Sequence, residues 1–177
     1  MSIALPQLAA ALRRTPDVLD TLVGGVEEDW ARHAPGPGEW DAATVIAHFI
    51  HGEQSDWIPR ARTILERGTD WPFRPFDRNG HVTVLAGQTV GQLLATFRRL
   101  REDNVATLVE WALTRADLER EGTHPAFGQV TLGQLLATWA THDHVHLAQI
   151  AQALASRHAV SVGPWSEYLW ERASAQG

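Results

Sequence analysis

The residues best spaced for chemistry are the histidines of LLATWATHDHVHLAQI, where His142, His144 and His146 follow one another at intervals of two. The apolar positions around them (Leu132, Leu135, Leu136, Trp139, Leu147, Ile150 and Leu154) recur every three or four residues, the stripe of an amphipathic helix. His142 and His146 fall on that stripe one turn apart, so both imidazoles project from one face. Two ring nitrogens so placed can reach a single metal ion. Two buried, unpartnered imidazoles would cost a few kcal/mol, a penalty that ligation removes. His144 lies two residues from each and points to the opposite, solvated face.

A third ligand has to come from another helix. The segment opened by Asp41 offers His48 and His51, with Glu53 close by. Val45, His48, Gly52 and Ser55 share one side, so His48 sits among small neighbours that leave room for an ion. His51 lies near the same side, and periodicity leaves both histidines open. Glu53 is read as a general base or an orienter of bound water, or else as a helix-surface carboxylate. Asp143 follows a histidine and is expected either to accept the far N–H of an imidazole or to sit exposed. Trp139 and His51 are candidates to line the pocket, and Gln149 to hydrogen-bond across helices. Arg60, Arg62 and Arg74 would either meet an anionic substrate or simply be solvated.

These residues need elements to hold them. Leu5 to Arg14 reads as helical, with a fresh helix start at Thr15-Pro16. Asp41 caps what reads as one long helix to about Arg67. Residues 69–88 read as a long loop packed by its own side chains, with Trp71, Phe73 and Phe76 placed to lid a pocket or cover an interface. TVGQ (89–92) and TLGQ (131–134) are capping boxes that open two more helices, to about Leu113 and Arg157. Gly and Pro mark a loop between these helices, and a short helix is expected over Trp165 to Trp170. Trp40, Trp57, Trp111 and Trp170 are expected in the core. The reading is all-α: an up-down four-helix bundle in a single domain over residues 1–177.

Composition narrows the chemistry further. The chain has no cysteine, and all 15 of its Lys+Arg residues are arginine. Thiolate metal sites, a cysteine nucleophile and a Schiff-base lysine are thereby excluded, so any metal must be held by nitrogen or oxygen. The net charge of −6 lacks the basic excess that a phosphate backbone requires, so nucleic acid is not an expected partner. No apolar run suits a bilayer, so no membrane partner is expected. No basic region precedes the first apolar stretch, and Pro6 and Gln7 interrupt it, which reads as no secretory signal and a cytoplasmic location.

Taken together, the motifs resemble those of the DinB/YfiT-like metalloenzymes along nearly the whole chain. GEWDAATVIAHFIHGE carries a Trp, a following polar residue and a His eight positions after the Trp (Trp40, Asp41 and His48). LLATWATHDHVHLAQI supplies His142, Asp143, His146, Gln149 and Ile150, and VGPWSEYL resembles the family's ending. The resemblance implies a four-helix bundle in which His48, rather than His51, joins His142 and His146 around a divalent cation. Zinc or nickel suits three imidazoles, with manganese or iron as further choices. It implies an enzyme acting on a small-molecule substrate, foremost a transferase of low-molecular-weight thiols of the bacillithiol or mycothiol type with a thiol cosubstrate. The alternatives are an amide hydrolase and a non-catalytic, metal-stabilised, stress-induced binding protein. A homodimer is also implied.

Overall fold

In the computed structural model, residues 4–169 are described. Four long elements carry the architecture: α1 (Leu5–Val23), α3 (Ala42–Ser55), α6 (Val90–Glu110) and α8 (Leu132–Ser156). Shorter helices join them: α2 (Glu28–Ala31), α4 (Trp57–Arg67), α5 (Gly80–Leu85), α7 (Arg115–Leu118) and α9 (Ser166–Leu169). A small hairpin, β1 (Glu121–His124) and β2 (Gly128–Thr131), precedes α8. Trp170 lies outside the described residues.

Both capping boxes form. Thr89 N–H donates to Gln92 Oε1 at 2.8 Å, and Thr131 N–H donates to Gln134 Oε1 at 2.8 Å. Asp41 caps α3 by accepting from Thr44 N–H at 2.6 Å. Each satisfies a backbone donor that the first helical turn leaves unpaired.

Proline explains two departures from the expected boundaries. The expected restart at Thr15 does not occur, and α1 runs through Pro16. Pro16 has no N–H to give to the carbonyl four residues back. That carbonyl, Leu12 O, instead accepts from the buried Arg101 at 3.0 Å, while the Thr15 hydroxyl donates to Asp143 at 2.6 Å. The expected single helix over 41–67 breaks at Asp56, whose φ/ψ of −113°/−70° ends α3 before α4 begins. Pro59 cannot donate to Ser55 O, so the turn before it cannot continue the ladder.

Two stretches read as loops contain structure. α5 lies inside 69–88, and the hairpin occupies the segment before α8. Both elements are too short for their periodicity to register: α5 has 6 residues and each strand has 4.

The core forms two apolar clusters separated by a polar layer. One gathers Leu8, Leu12, Trp57, Ile64, Leu132 and Trp139; the other gathers Leu19, Ile46, Phe49, Leu93, Phe97 and Ile150. The chain passes from one cluster to the other at a polar residue on each long element: Thr15 in α1, Glu53 near the end of α3 where it continues into α4, Arg101 in α6 and Asp143 in α8. All four are buried. The order of crossing also gives the helix directions. α1 and α8 run one way, α3 and α6 the other, so the bundle reads up, down, down, up. α1 and α3 each pack against α6 and α8, which sets them at opposite corners. Parallel neighbours α3 and α6 need a connection that returns along the bundle, which accounts for the length of the 68–89 segment.

Candidate metal centre

α3 and α8 run antiparallel and in contact, and their facing stripes bring three histidines together. One ring nitrogen from each of His48, His142 and His146 lies within 4.8 Å of the others. His48 Nε2 and His142 Nε2 are 2.9 Å apart. Two lone pairs cannot sit that close unaided, so the contact calls for a shared proton or a cation.

The third imidazole is oriented by its own helix. His146 Nδ1–H donates to Gln149 Oε1 at 2.7 Å, leaving the Nε2 lone pair free. Gln149 therefore acts within α8, one turn on, rather than across helices. The Nδ1 atoms of His48 and His142 are buried without a hydrogen-bond partner among the described residues. Phe49, Trp57 and Trp40 pack against the imidazoles with ring centroids 5.0–6.3 Å away, a low-dielectric wall on several sides.

That wall sets the protonation state. Burial, then the neighbouring His146, His81 and His51, lowers the His48 pKa to about 4. Burial, then His146, His48 and Arg101, lowers that of His142 to about 3. Burial also lowers His146, against the opposing pull of Gln149 and Asp143. The three rings are thus neutral near pH 7, the form that ligates a metal.

These depressed values make stability depend on pH. A histidine whose folded pKa lies below its unfolded value favours the fold in the neutral form. Its contribution is complete above about pH 6.5 and is lost as pH falls toward 4 and 3. The urea midpoint of metal-free protein should therefore fall steadily from pH 6.5 to 4. Allowing for solvent screening of half-buried groups, the loss is on the order of a few kcal/mol. A flat profile across that window would contradict the burial of these rings.

Beside the imidazoles lies the polar layer. Arg101 uses all five N–H donors: Nε and Nη2 to Glu53 Oε1 at 3.1 and 2.8 Å, Nη2 to Asp143 Oδ1 at 2.9 Å, and Nη1 to Asp143 Oδ2 and to Leu12 O. Trp139 Nε1–H donates to Glu53 Oε1 at 2.9 Å, and Asn104 Nδ2 to Glu53 Oε2 at 2.9 Å. Glu53 and Asp143 are therefore engaged on both oxygens, and neither accepts from an imidazole. Asp143 accepts from Arg101 and Thr15 instead of from an imidazole. Trp139 is fully buried and belongs to this layer rather than to the wall of the cavity. Its nearest link to the site is Trp57, stacked 5.9 Å away and itself edge-on to His142 at 5.1 Å.

His51 stands apart from the triad. Its Nε2–H donates to Asp77 O at 3.0 Å, and it lines a neighbouring groove. His144 is exposed on the far face, with Nδ1 on Ala140 O, as the spacing requires. His81 is buried 6.3 Å from His48, ring centre to ring centre, and the sequence offered no signal for it because α5 shows no usable periodicity.

Above the imidazoles opens a cavity of about 650 Å³. Trp57, Phe73, Phe76 and Phe127 give it aromatic walls, and Asp56, Arg60, Arg78, Gln134 and Thr138 supply polar groups. That volume suits a small organic molecule. Trp71, by contrast, is 64% exposed and lines the neighbouring groove.

A family model for the DinB superfamily matches residues 11–150. The chain belongs to the DinB superfamily. Among solved structures, this DinB-superfamily chain is similar to YfiT from Bacillus subtilis, described as a probable metal-dependent hydrolase with an unusual four-helix bundle topology. The TM-score is 0.75 at 23% identity, covering 89% of this chain and 91% of YfiT. The likeness is one of fold. Among curated proteins, none matches the sequence. Among the described residues, no helix is long and apolar enough to cross a membrane.

Proposed function

We propose that this DinB-superfamily protein is a metal-dependent enzyme in which His48, His142 and His146 hold a divalent cation at the floor of the cavity. The observation that carries this reading is the meeting of three neutral imidazoles from two helices beside an open, aromatic-walled space. Their donor set fits zinc or nickel, with manganese or iron as alternatives. A cation held by neutral ligands keeps its full charge and supplies acidification of a bound thiol or water.

Between the two chemistries we favour transfer of a low-molecular-weight thiol. Attack by water profits from a nearby carboxylate base, and the two expected candidates, Glu53 and Asp143, are committed to Arg101. A coordinating thiol is deprotonated outright and needs no such base. The chain has no cysteine, so the thiol would come as a cosubstrate. Amide hydrolysis is the second reading, supported by the fold shared with YfiT. The expected homodimer belongs to this proposal as well.

The chain's own residues prepare the site. Gln149 fixes the tautomer of His146, Trp57 and Phe49 exclude water from the ring edges, and the aromatic walls of the cavity desolvate a bound small molecule. The test is to load the protein with zinc, nickel or manganese and assay thiol conjugation of an electrophile such as 1-chloro-2,4-dinitrobenzene alongside amide hydrolysis. Turnover in one panel that disappears in His142→Ala supports an enzyme. Equal background in wild type and variant would leave the non-catalytic binding protein. A finer expectation concerns Gln149→Leu, which should weaken metal affinity about 10–100-fold by freeing the His146 ring, measured by competition with a chromophoric chelator.

A further inference from the structure

Of the three arginines expected to meet either substrate or solvent, the structure singles out one. Arg62 pairs with Glu66 and lies over Trp111, away from the cavity. Arg74 is exposed on the neighbouring groove. Arg60 lines the cavity shared with His48, His142 and His146, and its side chain is only 11% exposed.

Its bonding is incomplete for so buried a cation. Asp56 forms a close ion pair with Nε. Nη2 reaches Arg74 O only at 3.5 Å, and Nη1 has no protein acceptor among the described residues. A guanidinium offers five donors, and beyond the Asp56 contact at Nε the Nη1 edge stays accessible to an incoming acceptor. Its plane lies over Phe73 at 5.4 Å, which fixes the fork in place. Asp56 occupies the Nε edge and leaves the outer edge free. Arg78, exposed on the same cavity, adds a second positive charge.

The distance from the imidazoles is set by helix geometry. Asp56 follows His48 by eight residues, about 12 Å along an axis rising 1.5 Å per residue. Between the two ends lie Trp57, Phe73 and Phe76. Resting on the reading of this cavity as the substrate site, we propose that it takes an elongated small molecule with an apolar middle and a carboxylate at the end remote from the three imidazoles, and that Arg60 binds that carboxylate. A planar fork matches a carboxylate in a bidentate manner, which an exposed lysine-like point charge would not.

The experiment compares 3-phenylpropanoate with its neutral isostere 3-phenylpropanamide, each titrated by NMR into chelator-treated protein and into zinc-loaded protein. The acid should bind about tenfold more tightly than the amide in both forms. Arg60→Gln should erase that preference while amide affinity stays the same. Because Arg60→Gln leaves Asp56 unpaired, the double variant Asp56→Asn/Arg60→Gln, which removes both charges, should also lose the preference. Equal affinity for the two probes, absence of acid binding, or a preference that survives Arg60→Gln overturns the assignment. A preference confined to zinc-loaded protein also overturns it, since the carboxylate would then be on the ion. If the protein takes up no zinc, the enzymatic reading falls, but the metal-free titration still decides the role of Arg60.

Discussion

Replacing Arg101 with methionine should cost the protein about 3–5 kcal/mol of folding stability, a large share of the roughly 5–15 kcal/mol available to a domain. Arg101 is 1% exposed and, among the described residues, is the one cation facing two carboxylates, Glu53 and Asp143, that are themselves 0–2% exposed at the side chain. Without it, both carboxylates stay buried with their like charges unopposed, and Leu12 O, already freed by Pro16, loses the Arg101 donor. The effect should also reach the metal. Arg101 comes from α6, which supplies no imidazole, yet it ties Glu53 on α3 to Asp143 on α8, the two helices that do. Arg101→Lys, with three donors in place of five, should fold but be destabilised, and its zinc affinity should fall by at least tenfold. A core control such as Leu118→Ala, remote from the layer, should lose stability without that loss of affinity. Urea melts and chelator competition on the three variants provide the check. Unchanged zinc affinity in Arg101→Lys would confine the arginine to a role in stability.

The second large effect is expected at the imidazoles. A metal that binds the native state alone stabilises it by about 2.7 kcal/mol at a hundredfold excess over Kd. Wild-type protein should therefore melt several degrees higher with zinc or nickel added, and His142→Ala or His146→Ala should show no such rise. His142→Ala removes the nitrogen that lies 2.9 Å from His48 Nε2, so the remaining pair cannot enclose an ion between α3 and α8. His144→Ala is the internal comparison: it is exposed on the same helix and should keep the full metal-dependent rise. A rise retained by His142→Ala would place the ion elsewhere.

Three of the long helices were legible from strong local signals: α3 opens on an Asp cap, and α6 and α8 each open on a Thr cap with a Gln three residues on, ahead of an apolar stripe several turns long. The pairing of His142 with His146 was legible for the same reason. The preference for His48 over His51 was not, because both fall near one face of α3. Tertiary packing separates them: His51 is drawn off by Asp77 O on the 68–89 segment, and His48 faces α8. The fate of Glu53 and Asp143 was hidden too, since it depends on an arginine about 40–50 residues away in sequence. Arg101 sits within the charged run RRLRED, where it looks like one solvated residue among several. Pro16 and Pro59 show the converse case. Pro16 reads locally as a boundary yet is absorbed because a side chain takes the orphaned carbonyl, whereas Pro59 lies inside what reads as one helix, and that helix breaks before it.

The most direct test is elemental analysis of protein expressed with zinc, nickel and manganese supplied, followed by X-ray absorption at the edge of whichever metal is retained. One ion per chain, with a first shell that includes three imidazoles in wild type and fewer in His48→Ala, is the predicted result. No stoichiometric metal, or a shell unchanged by His48→Ala, would contradict a centre built from His48, His142 and His146.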